Sequence, residues 1–209
     1  MHTDPAQYNV VYGFCATALF LVGVFKLVVR PQRRAGRSLA DVVAEWGVAV
    51  THLSTAVAFT LAAPAVYLWI DRTLAVPNAA TLGVYTCILI TSAAFQAVVV
   101  LWTAPMRHGA QPRLAGWLAG YGLLIVVVIA LFIVGDTSGG EHPIDFDAHY
   151  SATPWISEFL LLYYAGFAVA MGRVALLCHR FHSSAGGWLG RGLRWVAVGT
   201  SYAGRLPPK

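Results

Sequence analysis

Leu114-Ala-Gly-Trp-Leu-Ala-Gly-Tyr-Gly-Leu-Leu-Ile-Val-Val-Val-Ile-Ala-Leu-Phe-Ile-Val-Gly135 runs between Arg113 and Asp136 without one charged side chain. Wound as a helix at about 1.5 Å per residue it reaches roughly 30 Å, the thickness of a bilayer's hydrocarbon core. It reads as a transmembrane helix. The segment after it, Asp136 to Ser151, holds four acidic residues and no Lys or Arg, whereas the loops one helix away on either side carry several Arg.

Four further apolar runs surround this one. The expected spans are residues 8–29, 46–70, 79–102, 114–135 and 154–177, followed by a partial sixth run over 192–204 that Arg205, Pro207 and Pro208 cut short. The fold class is therefore all-α: one multi-pass transmembrane helical bundle with five spans and a truncated sixth. Composition agrees, since 58% of the 209 residues are hydrophobic and only 11% charged, against about 25% charged in a soluble domain. The mean hydropathy is +0.65.

Punctuation along the chain is that of membrane helices. Pro31 stops the first span, and Leu39 to Glu45 read as an interfacial turn into the second. Pro64 kinks the second span, whose ends carry Trp46 and the pair Tyr67 and Trp69 as aromatic belts. Asn78 fits the N-cap of the third span, and Pro154 fits the first turn of the fifth. Gly116 and Gly120 form a small-x-x-x-small pair suited to a close helix neighbour.

Basic residues set the expected orientation. Arg30, Arg33, Arg34 and Arg37, then Arg107 and Arg113, then Arg180, Arg191 and Arg194 fall in alternate loops, with Arg72 alone on the other side. By the positive-inside rule the Arg-rich loops are cytoplasmic and the N-terminus is outside, in an inner (plasma) membrane. The formal charge of +5 is thus explained by topology, and no nucleic acid is expected as a partner. Met1 to Asn9 carry no positive charge, so the first helix is expected to be its own targeting signal, without a cleavable leader. Arg-rich, Ala- and Gly-rich usage suggests a GC-rich bacterial genome.

Little of this sequence looks catalytic. Cys15, Cys87 and Cys178 lie in or beside apolar runs and read as small membrane residues. The glycines 186, 187, 190 and 192 follow no strand and precede no Lys-Ser/Thr, so a phosphate loop is not expected. No hydrolase order of Ser, His and Asp, no His-Glu-x-x-His and no paired intramembrane carboxylates occur. Only His52 could be an axial haem ligand within a span. The outer loop with Asp136, Glu141, His142, Asp145, Asp147 and His149 has ligand types for a divalent cation but no recognised spacing. No enzyme, cofactor or metal is expected.

Two places could carry function. His52 lies six residues inside Trp46 and Gln96 six residues short of Trp102, so both should sit about 9 Å deep on neighbouring helices. With Thr51, Thr55 and Ser92 they form a candidate polar layer, readable as a proton or substrate relay or as interhelical hydrogen bonding. Asp71 and Asp136 mark the outer mouth, Asp71 with Arg72 as a local ion pair or a plain helix end.

Two runs, Leu61 to Leu82 (LAAPAVYLWIDRTLAVPNAATL) and Phe146 to Leu162 (FDAHYSATPWISEFLLL), with Arg191 to Gly199 (RGLRWVAVG), resemble an actinobacterial family of multi-pass membrane proteins. Its members are labelled as transporters or as carrying a domain of unknown function. The similar features are Asp71 after the second helix, Val76-Pro77-Asn78 opening the third, and Phe146, Tyr150 and Pro154 approaching the fifth. The resemblance implies seven helices and a transporter-like activity. This sequence departs from the pattern after Gly199, where Thr200 to Lys209 replace the rest, so a truncated or frameshifted gene, or a fragment, is expected.

Three functions follow: a transporter-like module, a membrane-embedded sensory or signalling domain, or a non-catalytic partner subunit. Their partners are the lipid bilayer, a small-molecule substrate, or a membrane or cytoplasmic protein. Transport predicts polar side chains of the spans facing one shared cavity. Signalling predicts a tightly packed bundle with its polarity gathered in the outer loop.

Overall fold

The computed structural model describes residues 5–28, 39–103, 110–181, 191, 192, 195 and 198. Seven helices are formed among them: α1 (Pro5–Val28), α2 (Leu39–Ala62), α3 (Pro64–Leu74), α4 (Ala79–Thr103), α5 (Ala110–Val134), α6 (Phe146–Tyr150) and α7 (Ile156–Phe181). The described residues contain no strand. Helices α1, α2, α4, α5 and α7 are long and apolar enough to cross a membrane, over Ala6–Val28, Val42–Ala62, Ala79–Leu101, Leu114–Val134 and Ile156–Arg180. The protein is an all-α, multi-pass membrane bundle.

Its outer surface fits lipid as the solvent. Phe14, Phe20, Leu123, Ile133 and Leu161 are exposed on the long helices, positions that water would penalise and acyl chains accept. α4 is the central helix, packed against α2, α3, α5 and α7. α1 packs against α2 and α3, and among its described residues Ala16 and Gly23 are buried. One core cluster joins Leu89 of α4, Tyr121, Val128 and Phe132 of α5, and Ile156, Phe159 and Tyr163 of α7.

Helices approach closely where a side chain is missing. A Cβ on Gly47 of α2 would stand 2.6 Å from Val98 Cγ2, and one on Gly166 of α7 would stand 2.4 Å from Leu124 Cδ2. The predicted Gly116 and Gly120 pair has no such neighbour within 4 Å. Both face outward on a half of α5 that is exposed from Ala115 to Gly120.

Several expected boundaries shift for identifiable reasons. The kink foreseen within 46–70 is a break: Ala63 is extended at φ −67° and ψ 121°, and Pro64 opens a separate helix α3. Proline's ring disfavours helical backbone in the preceding residue, and its missing N–H is harmless in a first turn. The interfacial turn expected over 39–45 is instead the start of α2. α7 begins at Ile156 and not at Pro154, because Trp155 sits at φ +68°, outside the helical region. α6 has no counterpart in the sequence reading. In the truncated sixth run, Gly192, Trp195 and Val198 are helical and exposed. The rest of 192–204 lies outside the described residues, as do Arg30, Arg33, Arg34, Arg37, Arg107, Arg194 and glycines 186, 187 and 190.

Candidate functional site: a polar knot at the α3/α6 end

α3 stops at Leu74 because Ala75 turns left-handed at φ 53°, and Asn78 does the same at φ 60°. Those two residues fold the chain back so that the last turn of α3 faces the first turn of α4. Asp71 exploits this. Its Oδ2 accepts the N–H of Asn78 at 2.7 Å and its Oδ1 accepts the N–H of Ala80 at 2.9 Å. The amides at a helix start have no partner within the helix and carry the positive end of its dipole. Asp71 is therefore the cap of α4, delivered from the preceding helix, and Asn78 is not the N-cap its sequence position suggests.

Burial pushes the Asp71 carboxyl above its ordinary value, while the N–H groups of Ala80, Asn78 and Ala79 pull the other way and nearby Glu141 adds to the rise. Asp71 is 2% exposed. Arg72 beside it is exposed, and among the described residues no ion pair joins the two. The local pair read from the sequence does not form there.

The Asn78 side chain is free to do something else. It is fully buried and uses its whole amide. Oδ1 accepts the Tyr67 hydroxyl at 2.6 Å and the His142 N–H at 3.0 Å; Nδ2 donates to the carbonyls of Gly140 at 2.8 Å and Thr137 at 3.3 Å. Since the Tyr67 proton goes to Asn78, the Thr81 hydroxyl, 2.6 Å away, donates to Tyr67. The Tyr150 hydroxyl also reaches the Gly140 and Thr137 carbonyls, at 2.8 and 3.0 Å, and Thr137 Oγ1 donates to the Pro77 carbonyl at 3.2 Å. Buried polar groups without partners are costly, and each member of this set has one. The α5–α6 loop is thereby laced to the α3–α4 turn.

A second lock holds α6 down. The hydroxyls of Tyr85 on α4 and Tyr164 on α7 both donate to the carboxylate of Asp147, one to each oxygen. Beneath lie Tyr85 and Tyr163 with ring centroids 4.3 Å apart and Phe132 and Phe159 at 5.4 Å. Beside them the His142 and His149 rings stack at 3.7 Å, and His142 Nδ1 lies 3.1 Å from Asp145 Oδ1. Asp136, the other predicted mouth residue, is exposed and accepts the Ser138 N–H at 2.9 Å. Ser138 holds its carboxyl below the ordinary value. Asp71 and Asp136 are not joined by any hydrogen bond. Among the described residues no three His, Cys, Asp or Glu are grouped so as to hold a metal ion.

The layer predicted within the spans divides into separate contacts. His52 Nδ1 lies 2.7 Å from the Val48 carbonyl of its own helix, a bond that requires the Nδ1–H tautomer, and its Cβ faces Gly23 of α1. Gln96 donates to the Tyr121 hydroxyl at 3.1 Å, which donates to the Gly166 carbonyl at 2.9 Å, tying α4 to α5 and α7. Thr55 and Ser54 meet Thr91 of α4 at 3.1 and 2.7 Å. Ser92, buried, donates to the Ile88 carbonyl at 2.8 Å. No hydrogen bond joins His52 to Gln96. Depth follows from the count of residues along a helix; the direction a side chain faces depends on which neighbour the helix turns toward.

Sequence reasoning named Asp71, Asn78 and Tyr150, and read Tyr67 as a belt aromatic although it is buried with its hydroxyl in the knot; it missed Thr81, Thr137 and the two tyrosines on Asp147. Part of the knot was readable, because Tyr67 and Asp71 are four apart on α3, a spacing that shares a helix face. The α5–α6 loop has no such periodicity. No protein-family model, no curated protein and no solved structure matches the chain.

Proposed function

We propose that this chain is a membrane-embedded sensory or signalling domain, in which the loop between α5 and α6 is the receiving part and α4 carries its position across the bilayer. The observation that supports this reading is the Asn78 amide, which binds the loop at three places from the residue just before the central helix. Displacing the loop must break those bonds or move α4. Arg113 near the start of α5 and Arg180 near the end of α7 lie at the opposite ends of their helices from the knot, which by the positive-inside rule supports a knot facing away from the cytoplasm. A transporter-like module draws support from the family resemblance, but it calls for polar groups that converge, and His52 and Gln96 each bond elsewhere.

The test uses spin labels at positions 101 and 180, at the far ends of α4 and α7, in a chain whose three cysteines have been replaced. Asn78→Ala is expected to shift the distance distribution between them. An unchanged distribution, or a chain-dependent proton flux in dye-loaded liposomes, would overturn the reading.

A further inference from the structure

The end of the bundle opposite the knot carries a cation with no counterion among the described residues. Arg173 lies inside the apolar run Ile156–Arg180, eight residues before Phe181 and so about 12 Å from the end of α7. Its guanidinium carbon stands 3.5 Å over the ring of Trp117 on α5. Its Nη1 is buried and donates to nothing, and no ion pair includes it among the described residues.

An aromatic face attracts a guanidinium but does not satisfy its five N–H donors. A charge inside a bilayer is retained only where something polar reaches it. The surroundings indicate what does. Arg180, exposed, follows seven residues later, close to two full turns, so both guanidinium groups lie on one face of α7 about 10 Å apart along the axis. Between and beside them the surface is open and apolar: Leu176 and Val169 are exposed, and Gly172 has no neighbour within 4 Å of the position a Cβ would take. Trp117 is itself partly exposed, as a residue at a membrane interface would be.

We propose that this α5–α7 face binds the phosphate of an anionic phospholipid. Arg173, half-buried, takes the phosphodiester through its guanidinium, Trp117 stands against that group, and Arg180 meets the outer part of the headgroup. The acyl chains lie along Leu176 and Val169. A planar, bidentate donor suits a phosphate, and basic positions between helices at the Arg-rich side of a membrane protein suit anionic headgroups. A zwitterionic headgroup would set its own cation against Arg180. This site is independent of the knot, so its test does not depend on the signalling reading.

The test is native mass spectrometry of the full-length chain in micelles, titrated with phosphatidylglycerol and with phosphatidylcholine of the same acyl chains. One phosphatidylglycerol is expected to stay bound, at least roughly fivefold tighter than phosphatidylcholine, the effect of about one well-placed basic residue. Arg173→Gln should abolish that preference. Arg173→Lys should keep part of it, and Arg180→Gln should weaken it by a smaller factor. Equal retention of the two lipids, or undiminished preference in Arg173→Gln, would overturn the proposal. Should Arg173→Gln fail to fold, Arg180→Gln decides, and an unchanged preference there overturns it. Displacement of the lipid by inorganic phosphate would assign the site to a soluble anion and would equally sink the lipid proposal.

Discussion

Asp71 caps a helix to which it does not belong: from the last turn of α3 its carboxylate accepts the N–H groups of Asn78 and Ala80, at 2.7 and 2.9 Å, at the start of α4. Removing it strands two donors at a buried helix terminus. Asp71→Ala is therefore expected to lower stability by about 1.5–3 kcal/mol, the usual range for hydrogen bonds to a charged group. Unfolding in mixed micelles by a denaturing detergent measures this; a loss below the error of that method would show the cap to be dispensable.

The same carboxyl should give the fold a pH dependence of known sign. Burial raises Asp71 above its ordinary value of 3.8. A raised acid binds its proton more tightly in the folded chain, so its contribution to stability is full below that value and is lost as the pH climbs through the folded value. The stability of the wild type relative to Asp71→Asn should fall over that window and then level off. A relative stability that rises over the window would contradict the assignment.

Asp147 should hold α6 against the membrane helices. Asp147→Ala removes the acceptor of both Tyr85 and Tyr164 and is expected to cost about 1–3 kcal/mol. Amide hydrogen exchange over 146–150 should accelerate, while exchange in the middle of α4 stays slow. Uniform acceleration across both would mean that the clamp supports the whole bundle and not α6 in particular.

The contact between α2 and α4 at Gly47 leaves no room for a methyl group. Val98 is 1% exposed and its Cγ2 is 2.6 Å from a Cβ built on Gly47. A β-branched side chain cannot swing away, so Gly47→Ala is expected to destabilise by about 1–3 kcal/mol through overpacking. A thermal melt of each variant checks this, and Gly116→Ala, with nothing near it, should be neutral in it.

His52 and Gln96 should behave as strangers. In a double-mutant cycle of His52→Ala and Gln96→Ala the coupling energy is expected to stay within about 0.5 kcal/mol, as for separated sites. Gln96→Ala with Tyr121→Phe should show coupling of about 0.6 kcal/mol, the average for a hydrogen bond between membrane helices. A large His52 to Gln96 term would restore the polar layer read from the sequence.

How much of this was legible follows from the physics of each feature. Leu114 to Val134 and the other spans declare themselves because a bilayer demands an unbroken apolar run of fixed length, and that demand is one-dimensional. Pro64 announced an interruption, since the missing N–H is a property of the residue. The orientation expected from Arg37, Arg113 and Arg180 rests on the same kind of linear count. Rotation about a helix axis is another matter. Leu89, Val98 and Gln96 point inward because α4 is surrounded, whereas nearly all of α1, equally apolar, faces outward; hydrophobicity alone cannot separate two helices that lipid and protein core solvate alike. Asn78 looked like a cap and became the centre of the knot because Asp71 had already taken the amides, and that choice exists only once α3 folds back on α4. The sequence by itself determined that this chain is a bundle of membrane helices with polarity at its ends. Tertiary structure alone decided which polar groups meet, since Asp71, Asn78, Thr137 and Tyr150 are brought together by left-handed turns at Ala75 and Asn78 and by packing that no local pattern encodes.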